Sequence, residues 1–498
     1  MAASSFGGPV DPAQAGALIS GGREPQPYPE GVLDTRVRSG PQVKPNVIMF
    51  LTDDMRADDM QYLPAVQQLL VQRGVNFTNA LAANSLCCPA RASLLTGQQS
   101  HNHRVMSNVV REFGGWQTFK ELNDQENLLP VWLQDAGYRT WHIGKHLNGF
   151  RELEPQPGWD YWNATVAGAT NYEDWAVSVN GTYVEYHDSY QEIVAREQLL
   201  EAVDAYSPSS QPFFMWDSAL APHGHQSATR GGSPRAEPQH AGSYSGFPFP
   251  VSPAVGEEDV TDKPAWVAQE EDPGSEEVHL VNRARRIEAL LSVDDTVRQT
   301  VRALRQNGDY AQTVFIFTSD NGFSLWEHRH HGKNVPHEES IRIPLVIAGP
   351  GFTPGTTVEA PVALTDVTAT ILDLAGARSG LTADGLSTVD MDTDLTLGQD
   401  RPIGLEGGVA ALPNSAALPT DERHRFYWGA RWGNFKYVEY ATGEKEFYNL
   451  RVDPYELTNR YRPESNATVT QQRLAAWVQT HKDCGGSACN DPLPRLSR

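Results

Sequence analysis

No stretch of this 498-residue chain approaches the roughly 18 consecutive apolar residues that a bilayer-spanning helix needs, so no membrane span is expected. Positive charge is also scarce: 40 Lys and Arg stand against 62 Asp and Glu, for a formal net charge of -22. A nucleic-acid backbone is bound by clustered Lys and Arg, and no basic stripe is present, which excludes nucleic acid as a general partner. An anionic substrate would have to be drawn by a small local positive site. The opening MAASSFGGPVDPAQAG has neither the basic start nor the apolar stretch of a secretory leader, so an export signal is expected to be absent or already removed. Cysteine is rare too, at four residues, yet two of the four are adjacent, Cys87-Cys88. Neighbouring cysteines are poorly placed to bridge each other, and two alone are too few for a structural zinc site, so chemistry is a candidate role. The other two lie in CGGSAC, where glycines let a short loop close a Cys484–Cys489 disulfide; two free surface thiols are the other reading. A disulfide would imply an oxidising compartment, and the sequons at Asn76, Asn163, Asn180 and Asn466 are compatible with secretion.

What is present alternates. Residues 1–44 are rich in Gly, Pro and Ser without periodicity and read as a surface arm. Asn46 to Leu51 is a continuous apolar run of the kind found in buried parallel strands, and it ends in the polar Thr52-Asp53-Asp54. Helical spacing follows at 64–72 and in NLLPVWLQDAG, then the strand YRTWHIG. Further on come the strand FFMWDS, a long helix over about 276–306, and the strands Val314–Phe317 and Ile343–Ile347. Such alternation predicts an α/β fold with a large, mostly parallel sheet between layers of helices and a site at the carboxyl ends of its strands. The Pro-, Gly- and Ser-rich segment 224–275 reads as a long excursion over that site. From about 400, FYWGARWGNFKYVEY and KEFYNL alternate as antiparallel strands before a helix near 467–480. The expected division is therefore a 45–399 catalytic domain and a smaller 400–498 C-terminal α+β subdomain.

Asp53 and Asp54 close one predicted strand, and Asp320 and Asn321 close another in FTSDNG. Four oxygen donors suit a hard divalent cation, Ca²⁺ or Mg²⁺, better than zinc. Helix capping or turn formation is the other role for such pairs.

Cys87-Cys88-Pro89-Ala90-Arg91 followed by Thr96-Gly97 resembles the C-x-P-x-R and T-G signature of the type I sulfatases, whose first cysteine is converted to formylglycine. NVIMFLTDD, GYRTWHIGKHLNGF, LAPHGH, HHGKNVPHEESIRIPLVIAGPG and EFYNLRVDPYELTNR resemble further blocks of that family. HNH, EDVTDKP and the C-terminal C-x4-C look most like the branch with N-acetylglucosamine-6-sulfatases and extracellular heparan 6-O-sulfatases. The resemblance implies an alkaline-phosphatase-like fold. It also implies that Asp53, Asp54, Asp320, Asn321 and the modified Cys87 ligate calcium, that Arg91 holds the modified residue, and that Lys145, His223 and Lys333 contact the sulfate. His146, Asn148, His103 and His331 are expected to line the substrate pocket; His328 and His330 are read as pocket lining or surface rather than metal ligands. Many sulfatases read G-K-x-H, whereas Gly144-Lys145-His146-Leu147-Asn148 has its histidine one place earlier.

The chemistry of such a set is coherent. A hydrated formylglycine carries two hydroxyls: one attacks sulfur, and the other later expels sulfate by C–O cleavage, which a serine could not do. Slow monoester hydrolysis asks for over ~20 kcal/mol of barrier lowering, by analogy with phosphate esters, so a cluster of cations and a metal is required. The expected function is hydrolysis of a carbohydrate or aryl sulfate by a secreted or periplasmic protein, matured by a formylglycine-generating enzyme. The alternatives are a phosphonate monoester or phosphodiester hydrolase of related fold, and a sulfated-glycan binder that never receives the aldehyde.

Overall fold

The computed structural model describes residues 44–110, 113–225, 232–270, 275–409, 412 and 414–493. The expected N-terminal arm lies, but for Lys44, outside the described residues. The continuous apolar runs form the middle of a ten-stranded sheet. Its strands lie in the order Thr356–Val358, Gly74–Phe77, Leu345–Ala348, Thr313–Ser319, Asn46–Thr52, Phe213–Ser218, Arg139–Gly144, Tyr161–Ala167, Trp175–Val179 and Thr182–Tyr186. The five strands from Thr313–Ser319 to Tyr161–Ala167 are mutually parallel, so their carboxyl ends share one edge. Leu345–Ala348 runs antiparallel to both neighbours; an unbroken apolar run marks a buried strand but carries no information on its direction.

Both faces of the central strand are buried, which is why it lacks polar alternation. Val47, Met49 and Leu51 pack with the helices Cys87–Thr96, Gly115–Leu122, Leu129–Asp135 and Leu364–Ala375 on one side. Ile48 and Phe50 pack with Pro64–Leu69, Gln191–Tyr206 and Glu276–Asn307 on the other. The side-chain period of two thus splits one hydrophobic run between two cores. Each such side chain contributes about 1.5–3 kcal/mol relative to exposure. The long helix starts at Ser275, whose hydroxyl accepts from the Val278 amide, as an N-cap should. Within the 224–275 excursion, Tyr244 and Phe249 anchor the chain against Tyr62 by edge-on ring contacts.

A second, antiparallel sheet joins Ile403–Gly407, Tyr427–Trp432, Phe435–Tyr440 and Lys445–Asn449 in sequence order. The helix Val469–His481 covers it with Leu474, Trp477 and Val478 against Ala430, Tyr437 and Phe447. This sheet is bolted to the larger unit by a buried ion pair. Glu406 accepts from both the backbone amide and Nδ1 of His101, each at 3.0 Å, and the His101 Nε2 lies 2.8 Å from the Cys484 carbonyl. Cys484 and Cys489 are disulfide-bonded, their Cα atoms 5.1 Å apart.

Candidate active site

Adjacent parallel strands deliver the two acidic pairs side by side. Thr52 lies opposite Ser319 in register, so Asp53 and Asp54 leave one strand next to Asp320 and Asn321 leaving the other. Asp54 has a φ of 73°, a left-handed conformation uncommon for a residue with a side chain. Its amide donates to Asp320 Oδ1 at 3.1 Å, and the Met55 amide donates to Ser319 Oγ at 2.9 Å. The neighbouring strand end thereby fixes the turn that aims the Asp54 carboxylate.

Cys87 is the first residue of a fully buried helix, Cys87–Thr96. Pro89 sits in its first turn, where a missing N–H breaks no helical bond, and the Asn108 side chain accepts from the Cys88 amide at 2.9 Å. Gly97, with φ 68°, closes the helix in the left-handed region, so the T-G of the motif is a helix stop. Arg91 comes one turn after Cys87 and on the same face. Its Nε donates to Asp320 Oδ2 at 2.8 Å, and its Nη1 donates to the Lys145 carbonyl at 2.8 Å and to Ser218 Oγ at 2.6 Å. The C-x-P-x-R spacing is what puts thiol and guanidinium into one cluster. Gly144 has a φ of 95°, and a Cβ there would meet the Ser218 carbonyl at 2.2 Å. Only glycine lets the following Lys145 amide reach that carbonyl, at 3.1 Å.

These segments converge. The Cys87 thiol donates to Asp53 Oδ1 at 3.2 Å, and Lys333 Nζ donates to Cys87 Sγ at 2.7 Å. Lys333 is also ion-paired with Asp54, and Lys145 with Asp53. His223 Nε2 lies 3.7 Å from Asp54 Oδ2, while its Nδ1 is held by the Gly224 carbonyl at 2.8 Å. Tyr172 donates to the His223 carbonyl at 2.8 Å, and Glu192 Oε1 accepts from the Leu220 and Ala221 amides, both at 2.8 Å. Thus a buried carboxylate on another helix sets the loop that carries His223.

Electrostatics follow the geometry. Burial by itself would raise the Asp53 carboxyl, but Lys145, His223, Arg91 and Lys333 hold it well below the usual carboxylate range. Burial and the Asp53 charge push the Cys87 thiol far above its ordinary value, so an unconverted Cys87 is a protonated, weak nucleophile. Burial lowers Lys333, yet the charges around it, Asp54 first, more than offset this and keep it an ammonium. Burial lowers His223 against the pull of Asp54 and Asp53.

The donor set fits a divalent cation. One oxygen donor from each of Asp53 and Asp54, the Cys87 sulfur and a His223 nitrogen lie within 4.8 Å of one another. Asn321 donates its amide to Asp54 Oδ1 at 2.7 Å, and its own Oδ1 is buried without a hydrogen-bond partner, as a carbonyl reserved for a cation would be.

The remaining expected pocket residues are placed differently. His146 does not open onto the cluster: it packs edge-on to Trp116, Phe150 and Trp162 at 5.0–5.6 Å, and burial lowers it to about 3. The ring of His103 is held on both sides, its Nε2 paired with Ser93 Oγ at 3.0 Å and its Nδ1 accepting from the Val105 amide at 3.2 Å. It ties two helices together, and burial brings it to about 3. The Asn148 carbonyl accepts from the Trp116 amide at 2.7 Å, and its Oδ1 is buried without a partner. The His331 ring lies tilted against Trp326, centroids 4.0 Å apart, and meets Phe323 edge-on at 5.2 Å. His328 and His330 are hydrogen-bonded through Nδ1 to Glu257 and Glu270, at 2.7 and 2.9 Å. Glu192, Asn108 and Ser218 escaped sequence reasoning, since a lone polar residue in a helix, loop or strand end carries no motif.

A ring of cations around a helix-start cysteine and a strand-end carboxylate cluster defines a hydrolase of small tetrahedral anions. The family model described as Sulfatase matches residues 45–377, and that described as N-sulphoglucosamine sulphohydrolase, C-terminal, matches residues 326–483. The chain belongs to the sulfatase family, whose members hydrolyse sulfuric esters through a formylglycine. It is 29% identical to human N-acetylglucosamine-6-sulfatase, over 90% of this chain and 86% of that protein. To the arylsulfatase of Chlamydomonas reinhardtii it is 27% identical, over 90% and 76%. A solved structure in complex with its substrate D-glucosamine-2-N,6-O-disulfate superposes with a TM-score of 0.71 at 21% identity, covering 89% of this chain and 98% of that one. The phosphonate monoester hydrolase of Silicibacter pomeroyi shares the fold with a TM-score of 0.68 at 20% identity, over 88% and 95%.

Proposed function

We propose that this protein is a secreted or periplasmic, calcium-dependent sulfatase that removes sulfate from a sugar, with a terminal glucosamine 6-sulfate as the leading substrate. The observation that carries the reading is the convergence of Cys87, at the start of its C-x-P-x-R helix, with Asp53 at 3.2 Å and Lys333 at 2.7 Å. The human and algal relatives named above support a sugar or aryl sulfate. The acidic charge of the whole molecule favours a small or terminal substrate over a long polyanion.

Asp53, Asp54, Asp320 and Asn321 would hold Ca²⁺, which supplies Lewis acidity to the sulfate oxygens and to the nucleophile. Position 87, once converted by a formylglycine-generating enzyme, supplies the hydrated aldehyde as nucleophile. Lys145 and Lys333 neutralise charge on the sulfate, and Arg91 fixes the helix start to Asp320. Because the Gly224 carbonyl accepts a hydrogen bond from Nδ1–H of His223, Nε2 is the atom that carries a proton to the departing sugar alcohol. Asp54, 3.7 Å away, supports that imidazolium.

The test has two parts, run on protein matured in its native host. Mass spectrometry of the peptide containing position 87 should show an aldehyde; an unmodified thiol would instead favour a sulfated-glycan binder. A substrate panel of glucosamine 6-sulfate, nitrophenyl sulfate and a phenylphosphonate ester should show turnover of the sulfates. Turnover of the phosphonate alone would overturn the reading.

A further inference from the structure

We infer that Arg286, on the long helix Glu276–Asn307, is a positioning residue that couples the metal ligand Asp54 to the loop carrying the proton donor His223. The inference rests on the sulfatase reading of that site but adds a component that lies outside its motifs. The two elements come from chain segments nearly 170 residues apart, and Arg286 bridges them through the backbone. Its Nη2 donates to the Asp54 carbonyl, and its Nη1 donates to the Pro222 carbonyl at 3.2 Å. The side chain is 2% exposed, and its guanidinium lies over the Phe323 ring, 4.6 Å from the centroid, two residues beyond the ligand Asn321.

Three features make this a matter of geometry rather than bulk packing. Asp54 sits in a left-handed conformation with φ 73°, which persists only when the surroundings over-determine it. Its amide is fixed by Asp320, and Arg286 fixes its carbonyl, so both ends of the strained residue are clamped. Pro222 directly precedes His223, and the amides before it are held by Glu192; Arg286 supplies the restraint on the carbonyl side. A planar guanidinium can donate to two carbonyls in fixed directions at once, whereas an ammonium is a single point of charge.

The test is a comparison of Arg286→Met and Arg286→Lys with the wild type, scored by calcium affinity from competition with a chelating dye as well as by kcat and KM. Residues that orient metal ligands typically contribute 10- to 100-fold in affinity or activity, and a loss of that order is expected for Arg286→Met, mainly in kcat, with a smaller loss for Arg286→Lys. In Arg286→Gly, added guanidinium chloride at millimolar concentration should restore part of the rate while leaving the wild type unchanged. A folded Arg286→Met, or Arg286→Lys if the former does not fold, with calcium affinity and kcat indistinguishable from wild type overturns the proposal. So does a variant that loses thermal stability alone. If the wild type hydrolyses no sulfate ester, the proposed function fails, and the calcium affinities still decide the role of Arg286.

Discussion

Replacing Glu406 by Gln isolates the bolt between the antiparallel sheet and the larger unit. Both ring nitrogens of His101 face acceptors, the Glu406 carboxylate and the Cys484 carbonyl, so the geometry calls for an imidazolium, a donor on both sides. Burial lowers His101, but Glu406 outweighs it and raises the group above its ordinary value. Burial raises Glu406, but the His101 charge, with Arg425, brings it from 4.5 down to about 2. At ~1.4 kcal/mol per pH unit, that displacement is worth roughly 3 kcal/mol. Glu406 is 4% exposed and His101 likewise, so solvent screening takes little of it. The signs are opposite for the two partners. The Glu406 contribution is complete above about pH 4.5 and is lost as pH falls towards 2. The His101 contribution is complete below about pH 6.5 and is lost as pH rises through its raised folded value. Chemical denaturation of Glu406→Gln near pH 6 should therefore show a loss of about 2–4 kcal/mol in the transition that includes the C-terminal sheet. The gap from wild type should shrink as both are titrated to pH 3. A variant as stable as wild type at pH 6, or a gap that does not change down to pH 3, would refute the electrostatic account.

Other consequences are open to direct measurement. Cys87→Ala should abolish turnover, whereas Cys88→Ala should leave a substantial fraction; equal loss in both would contradict Cys87 as the nucleophile precursor. His223→Ala should lower kcat for glucosamine 6-sulfate by roughly 10²- to 10⁴-fold, and far less for nitrophenyl sulfate, whose leaving group needs no proton. The same loss on both substrates would remove His223 from the proton-donor role. Exhaustive chelation should stop the reaction, and Ca²⁺ should restore it better than Zn²⁺, given four oxygen donors; full activity in protein shown by elemental analysis to be metal-free would contradict the site.

The parts of the molecule that sequence exposes are those with a local signature. Apolar runs ending in polar pairs marked the parallel strands and their active edge, and the C-x-P-x-R resemblance linked Arg91 to position 87; the helix that puts them one turn apart is visible only in the structure. What sequence conceals is direction and partnership. The antiparallel course of Leu345–Ala348 depends on connections, not composition. His146 and His103 share the neighbourhood of Lys145 and the Cys87 helix in the chain, yet their rings point into an aromatic layer and a helix contact; adjacency along the chain does not say which way a side chain faces. Arg286 reads as an ordinary polar position in a long helix and Glu192 carries no motif, because the backbone groups they bind are brought near only by the tertiary fold.

The complete burial of Cys87, at 0% exposure, has a temporal meaning. Its thiol accepts a hydrogen bond from Lys333, which follows a strand inserted into the middle of the sheet and is synthesised more than 200 residues later. At ~5–20 residues per second that interval is on the order of 10–50 s. Under the proposed function, an enzyme that converts this cysteine would have to reach it in the nascent or still-open chain, which would make maturation a race between oxidation and closure.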